Sequence, residues 1–495
     1  MKRHWFWIVA IATAGAIGGA VSHTKAFGQP QTSGQTDVTA PAPTSPDIER
    51  GRYLTALGDC IACHTRQGGQ AFAGGRALQT PFGTLLSANI TPDHATGIGS
   101  WTADQFYRAL HEGIDDDGNH LYPAFPYNYY RLVSRADSDA IFAYLRTLPA
   151  VNYHPDHNQL SFPFNIRALM VVWNWLFLDR NEYRPNSAKS AAWNRGSYLV
   201  NGLSHCGACH TEMNFMGAPK NSHFLEGGTF ANWFAPDITP NRRTGLGAWS
   251  SPELVEFLKT GRNPHAAASA EMGEVVAFST SKADQNDLNA IAVYLADQQP
   301  SPAAGSPTLD RKQFAQGEAI YVDSCSACHA MHGEGTPRFF PPLKGDANLQ
   351  QRDPTTTLRF ILAGVQSTPT DARPTAFSMP AYAWKLSDSQ VAAVETYIRN
   401  AWGNSASPVS VDDVARLRRL VVAPASQYEN PEQRGSMTRP GPQTLAPPNT
   451  DSRQNGTPQA GQPAGAGAGV ASGSGASNGG TSAQSPGGVS TGGPG

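Results

Sequence analysis

Apolar side chains recur at helical spacing in six short stretches of this chain, and the six fall into three pairs. The later member of each pair is the clearer: DSDAIFAYLRTLP from Asp137, QNDLNAIAVYLADQQP from Gln285 and LSDSQVAAVETYIRNAWG from Leu386. Each has a Ser or Asp near its start that can cap a helix N-terminus, and each carries an Ile/Val-x-x-Tyr-Leu/Ile face that needs burial. The earlier members are GRYLTALGDC from Gly51, GSYLVNGLSHC from Gly196 and GEAIYVDSC from Gly317. Their spacing predicts short amphipathic helices. Three aligned recurrences predict one supersecondary unit used three times.

The segments between add contrast. NITPDHATGIGSW (89–101) matches DITPNRRTGLGAW (237–249), whereas the third repeat has no such loop and is the more distant copy. Its Pro and Gly mark a turn, with Trp101 and Trp249 expected to be buried. NIRALMVVWNWLFLD (165–179) is apolar but shorter than the ~20 residues that span a bilayer. It reads either as a membrane-docking interfacial helix or as a linker helix packed between domains. At the N-terminus, Lys2 and Arg3 precede an apolar run from Trp5 to Val21 and a small-residue site at Ala26-Phe27-Gly28. This predicts a secretory signal over 1–28, and an uncleaved anchor is the alternative. From about Ala425 the chain turns to Pro, Gly, Ser, Gln and Ala, which predicts a disordered tail.

The cysteines change the picture. All six lie in one motif used three times: Cys60, Cys63 and His64; Cys206, Cys209 and His210; Cys325, Cys328 and His329. C-x-x-C-H is the attachment signature of c-type haem. Two thiols at this spacing reach the two vinyl groups of one porphyrin, and the adjacent His lies under the iron as proximal ligand. Zinc would need the pairs to combine into four-ligand sets, and three equal pairs do not divide that way. A disulfide across two residues would not staple a fold of this size. Three haem c groups are therefore expected, in a mainly α chain of three tandem cytochrome c-type domains with long loops.

The expected boundaries are a signal over 1–28, a linker over 29–46, domain 1 over 47–150 and an apolar linker over 151–190. Domain 2 then covers 191–301, domain 3 covers 311–404, and an extension covers 405–495. The formal charge is −2, and loss of the three cations Lys2, Arg3 and Lys25 with the signal takes it to −5. No basic patch is present, which argues against nucleic acid as a partner.

Electron-transfer haems take Met or His opposite the proximal His. Met379 in AFSMPAYAWKLSD and Met272 in ASAEMGEVVAF each precede a closing helix and are the candidates for the third and second haems. In the first repeat the corresponding residue is Phe125. It stands 65 residues after Cys60, as Met272 stands 66 after Cys206. That repeat has no Met between its C-x-x-C-H and its closing helix, so the first haem is either five-coordinate or bound by another residue. His120 is the nearest candidate; a loop histidine or propionate partner is the alternative. His111 aligns with Lys259 on a helix and reads as surface. Methionine raises the potential, so the first haem should be the low-potential outlier.

GRYLTALGDCIACHT, TPFGTLLSANITPDHATGIGSW, HLYPAFPY, LSHCGACHT, TGLGAWS and SMPAYAWKLSD together resemble a known family. It is the three-haem cytochrome c subunit of membrane-bound bacterial alcohol, aldehyde and gluconate dehydrogenases. The likeness covers about residues 47–404. It implies a partner catalytic subunit with a quinone, flavin or molybdopterin cofactor. It also implies that this chain takes the electrons haem to haem and reduces ubiquinone at the outer, periplasmic face of the cytoplasmic membrane. The haem cysteines and histidines, Met272 and Met379 carry over. The first-repeat Met of many members, in YPAMPY, does not, because this chain reads YPAFPY. Relatives that keep that Met also carry a histidine before LYPA.

The expected function is thus an electron-transfer subunit with no legible substrate-oxidising site of its own. Two other readings compete: a peroxidase-like enzyme using an open first haem, and a free periplasmic carrier. The apolar stretch 165–179 argues against the carrier.

Overall fold

The computed structural model describes residues 45–302, 305 and 307–421. These all belong to one unit, Met1–Gly435. The signal, most of the first linker, the tail and a second unit, Ser436–Gly495, lie outside the described residues.

The first repeat contains α1 (Ser45–Leu57), the single turn α2 (Cys60–Cys63), α3 (Ala103–Glu112), the turn α4 (Tyr127–Tyr130) and α5 (Arg135–Leu145). The linker carries α6 (Met170–Phe177). The second repeat contains α7 (Ala191–Tyr198), α8 (Gly207–His210), α9 (Ser251–Thr260), α10 (Ala270–Phe278) and α11 (Gln285–Ala296). The third contains α12 (Arg311–Ser324), α13 (Ser326–His329), α14 (Thr355–Ala363), α15 (Asp388–Ile398) and α16 (Val411–Val421). Small antiparallel ribbons finish the loops: β1 (Ala77–Thr80), β2 (Gly83–Leu86) and β3 (Gln159–Leu160) in that order; β4 (Gly228–Phe230) with β5 (Trp233–Ala235); and β6 (Val365–Gln366) with β7 (Ser378–Met379).

Each repeat is built on the same helix crossing: α1 on α5, α7 on α11, and α12 on α15. A glycine makes each crossing possible. A Cβ on Gly51 would lie 1.8 Å from the Ala140 carbonyl oxygen, on Gly196 2.0 Å from that of Ala290, and on Gly317 2.1 Å from that of Ala393. The closing helices start where the cap dictates. Ser134, Asp284 and Ser387 accept from the backbone N–H three residues on. The first closing helix therefore opens at Arg135, ahead of the Asp137 start read from the sequence. Similarly α1 opens at Ser45, inside the expected linker.

The first two repeats share one apolar core. They also exchange side chains about a pseudo-twofold relation. Arg50 pairs with Asp137 in the first repeat, and Tyr198 of the second donates to the same carboxylate at 2.5 Å. Reciprocally, Arg195 pairs with Asp287 at 2.7 Å, and Tyr53 of the first repeat donates to it at 2.8 Å. Both carboxylates are buried, which only such pairing makes tolerable. The third repeat has Gln316 and Ala319 where the others have Arg and Tyr, and Gln390 where they have Asp. It cannot join this exchange and keeps its own core. It docks on the second repeat instead, through Glu256 with Arg338 and Arg373 and through Thr368 N–H on the Ala268 carbonyl.

Four local expectations need amendment. Trp101 and Trp249 are only half-buried; each has one edge on the shared core while the other faces out. His111 is no free surface group: its Nε2 bonds the Val133 carbonyl at 2.8 Å, as Lys259 Nζ bonds the Ala283 carbonyl at 2.7 Å. Both tie down the residue before a helix cap. The apolar linker forms a 3-10 turn and then α6, which is at once packed and exposed. Trp173 and Asn174 are buried, whereas Val171, Val172, Trp175 and Leu176 face out. Beyond the third closing helix, the expected extension begins with an ordered helix, α16. Val414 and Leu417 bury on the third core, and Arg418 bonds Asp388 and the Leu386 carbonyl.

Candidate functional site

Each C-x-x-C-H motif forms a single helical turn directly after the first helix of its crossing. In the second repeat the lead-in is a π-helical turn, Leu199–Leu203. Such turns concentrate at functional sites. The six cysteines are unpaired. Burial pushes the Cys60, Cys63 and Cys206 thiols up to about 12, and that of Cys325 to about 11. Among the described residues no cluster of three or more His, Cys, Asp or Glu is placed to hold a metal ion.

The histidines carry the more specific geometry. His64 Nδ1 lies 2.7 Å from the Ala88 carbonyl, His210 Nδ1 2.6 Å from that of Pro236, and His329 Nδ1 3.0 Å from that of Pro341. A carbonyl can only accept, so each Nδ1 carries the hydrogen and each Nε2 keeps its lone pair. Burial pushes all three imidazoles below the ordinary histidine value, keeping them neutral. A neutral ring, oriented by a carbonyl and open at Nε2, is the arrangement of a metal-ligating histidine. Residue patterns did not reveal these carbonyls. In the first two repeats they belong to the residue just before N/D-I-T-P, so the shared loop was the available signal.

The candidate distal residues are distributed as follows. Met379 lies on β7, paired with Val365 of β6. Met272 lies on α10, half-buried against the shared core. Phe125 precedes α4, with its ring 5.4 Å from that of Tyr130. α10 packs on α2 of the first repeat, and α4 packs on the π-helical turn of the second. The segment after each candidate thus leans on the other repeat's attachment region. Arg76 clamps one of these contacts. It donates to the Ala62 carbonyl inside CIACH at 2.9 Å, and to Glu274 and Glu271 of α10 at 2.6 and 3.3 Å. His205, directly before Cys206, lies 5.1 Å from Tyr130 at the same junction. Neither residue stood out in the sequence.

His120 takes a different posture from the three motif histidines. Its Nδ1 lies 3.3 Å from Asn174 Nδ2 on α6. The Asn174 amide is fixed by its other bonds: Nδ2 also donates to the Glu112 carbonyl, and Oδ1 accepts from the Tyr127 hydroxyl at 2.6 Å.

Comparison with known proteins fits this geometry. Residues 314–402 match the Cytochrome c family model. The chain is 37% identical over 403 residues to the gluconate 2-dehydrogenase cytochrome c subunit of Pantoea cypripedii, covering 77% of this chain and 91% of that one. It is 38% identical over 392 residues to the cytochrome c subunit of the quinone alcohol dehydrogenase of Gluconacetobacter polyoxogenes, covering 75% and 84%. The chain belongs to the dehydrogenase cytochrome c subunit family. This cytochrome c subunit is also 41% identical over 412 residues to a nicotinate dehydrogenase subunit of Pseudomonas putida, a match covering 81% of this chain but only 34% of that relative's length. Membership of the cytochrome c family implies covalent haem c. The unpaired thiol pairs and the open Nε2 atoms of this cytochrome c subunit fit that group.

Proposed function

We propose that this chain is the electron-carrying subunit of a dehydrogenase complex and holds three haem c groups. Cys60, Cys63, Cys206, Cys209, Cys325 and Cys328 attach them, and His64, His210 and His329 bind the irons. Met272 and Met379 ligate the second and third. The domains are 47–150, 191–301 and 311–404, one for each motif, with α1 reaching back to Ser45 and α16 adding to the third core. When bound, haem c supplies a one-electron centre. The chain's own part is to hold each imidazole neutral and aimed, and to dock the repeats closely.

The observation that carries this reading is the threefold Nδ1–H to carbonyl bond, which leaves one Nε2 open in every repeat. The donor is a partner periplasmic alcohol or aldehyde dehydrogenase subunit, and the acceptor is membrane ubiquinone. Among the described residues no helix is long and apolar enough to cross a membrane. Docking at the outer face of the cytoplasmic membrane would instead use the exposed apolar face of α6. Exposed Arg180 and Arg184 beside it suit anionic headgroups.

The test is peptide mass spectrometry on the exported chain, followed by purification in detergent. The reading expects a haem adduct on each of the three C-x-x-C-H peptides. It also expects a co-purifying catalytic subunit and substrate-dependent reduction of a ubiquinone analogue. Adducts on fewer than three peptides would refute the count. Quinone reduction that persists without this chain would refute the role.

A further inference from the structure

We propose that a haem held by Cys60, Cys63 and His64 receives no sixth ligand from its own repeat, and that Phe125 leaves that position open to a small neutral diatomic ligand. The inference rests on the attachment reading above, and four observations carry it.

First, Phe125 holds the position that Met272 holds in the second repeat. It lies 24 residues after Trp101 where Met272 lies 23 after Trp249; Phe125 precedes α4 and Met272 lies on α10, and both elements pack on the other repeat. Secondly, the first repeat has no Met, Lys or further Cys between residues 65 and 134. Thirdly, its histidines are otherwise engaged. An amide nitrogen can only donate, so His120 Nδ1 accepts from Asn174 and the ring hydrogen sits on Nε2. That is the reverse of the tautomer in the three motif histidines. Flipping the amide would set Oδ1 against the Glu112 carbonyl, and the Tyr127 hydroxyl holds it in place. His111 is committed through Nε2 to the Val133 carbonyl and stacks on Tyr107. His94 is exposed on a turn that Asp93 fixes by accepting from Ala95 and Thr96. Fourthly, the neighbouring hydroxyl is satisfied elsewhere, since Tyr130 donates to the Gly58 carbonyl at 2.9 Å.

Phe125 itself packs among aromatic and apolar side chains: its ring lies 6.5 Å from that of Tyr127 and 5.4 Å from that of Tyr130, and it borders both the shared core and the cluster of Trp173 and Leu178. A site of this kind disfavours anions, which lose hydration without gaining a partner. A neutral π-acceptor has no such cost. Carbon monoxide is therefore the probe, and cyanide the contrast.

The experiment uses the full haem-loaded chain, reduced and titrated with carbon monoxide while visible spectra are recorded. The expected result is uptake of one equivalent per chain, with cyanide binding to the oxidised form much weaker. Phe125→Met should abolish the uptake and add a sulfur-to-iron charge-transfer band. Phe125→Leu should retain it, and this covers the case in which the Met variant folds badly. His120→Ala should leave the stoichiometry unchanged. Absence of uptake in a chain with haem on the Cys60–Cys63 peptide would overturn the proposal and leave the attachment reading intact. Uptake that appears only in His120→Ala or His205→Ala would overturn it and name the ligand. A chain with no haem on that peptide would sink the attachment reading itself, and this inference with it.

Discussion

Replacing Gly51, Gly196 or Gly317 by alanine sets two effects of opposite sign against each other. Alanine gains about 1 kcal/mol over glycine in a helix interior. Against this, the new Cβ on Gly51 would meet the Ala140 oxygen at 1.8 Å, where real contacts stop near 3.0 Å. The obstacle is a backbone carbonyl, so no rotamer change clears it. The helices must part by the difference, about 1.2 Å. A gap of ~0.5–1 Å already forfeits about a quarter to a half of each van der Waals contact across it. A buried leucine makes ~40–60 contacts of ~0.1–0.2 kcal/mol, so losing a quarter costs about 2 kcal/mol. Leu54, Leu57 and Leu145 all sit at this crossing and are almost wholly buried. The loss outweighs the propensity gain, and each variant should be destabilised by about 2–4 kcal/mol. Thermal unfolding of the haem-loaded chain, followed by visible circular dichroism, measures this. A Gly51→Ala or Gly317→Ala chain as stable as the parent would mean that propensity wins and that the crossings are not this close.

Three further outcomes follow from named contacts. Burial pushes the Asp287 carboxyl up, but the hydrogen bond and charge of Arg195 outweigh it and hold the group below its ordinary value. Its stabilisation is therefore present above the unfolded pKa of about 4 and is lost as pH falls through the lower folded value. Asp287→Asn should cost about 2 kcal/mol at neutral pH, discounted because Arg195 is partly exposed, and should converge with the parent in acid; urea midpoints across pH check this. Arg76→Gln leaves Asp59, Glu271 and Glu274 without their shared cation, and Glu271 is already raised, first by burial and then by Glu274. A raised carboxyl destabilises as it ionises, so the deficit, about 1 kcal/mol once discounted because both glutamates are more than a third exposed, should shrink as pH falls toward 5; a pH-independent deficit in thermal scans would contradict this. Finally, Val172→Glu with Trp175→Glu alters only exposed positions of α6. It should abolish co-flotation with anionic vesicles and leave the melting temperature unchanged.

Much of this was legible because the chain states it three times. The motif cysteines and histidines and the closing helices announce themselves by recurrence. So does the pairing of the first two repeats, in retrospect: R-G-x-Y stands at 50–53 and again at 195–198, and the third copy reads QGEA. What stayed hidden has no side-chain signature or acts across long separations. The carbonyls that orient the histidines belong to Ala88, Pro236 and Pro341, whose side chains say nothing about the bond. Arg76 and Glu274 lie 198 residues apart, and no local pattern connects them. Trp101 and Trp249 are only half-buried because each sits on a surface loop of a small domain, which cannot enclose a whole indole even where His265 stacks on Trp249.

The same contacts explain why α10 is the element on which the repeats converge. Its N-terminal neighbour Ser269 bridges to Ser367, and Ser367 N–H bonds the Phe377 carbonyl one step before β7, which carries Met379. Two residues beyond Met272, Glu274 takes Arg76 and through it the CIACH turn of the first repeat. One short helix therefore ties Met272 to Met379 on one side and to the Cys60–Cys63 attachment on the other. A twofold pair closes on itself and leaves no equivalent face for a third copy. The third repeat, lacking the Arg–Asp–Tyr exchange, is free to diverge and attaches through Glu256 of α9 and through the loop before α10. Spacing among the three attachment regions is then set by the shared core of the first two repeats, by the ion pairs of Arg76 and Glu256 and by backbone bonds rather than by flexible linkers. In a chain that moves electrons between fixed centres, that rigidity is what the repeated architecture supplies.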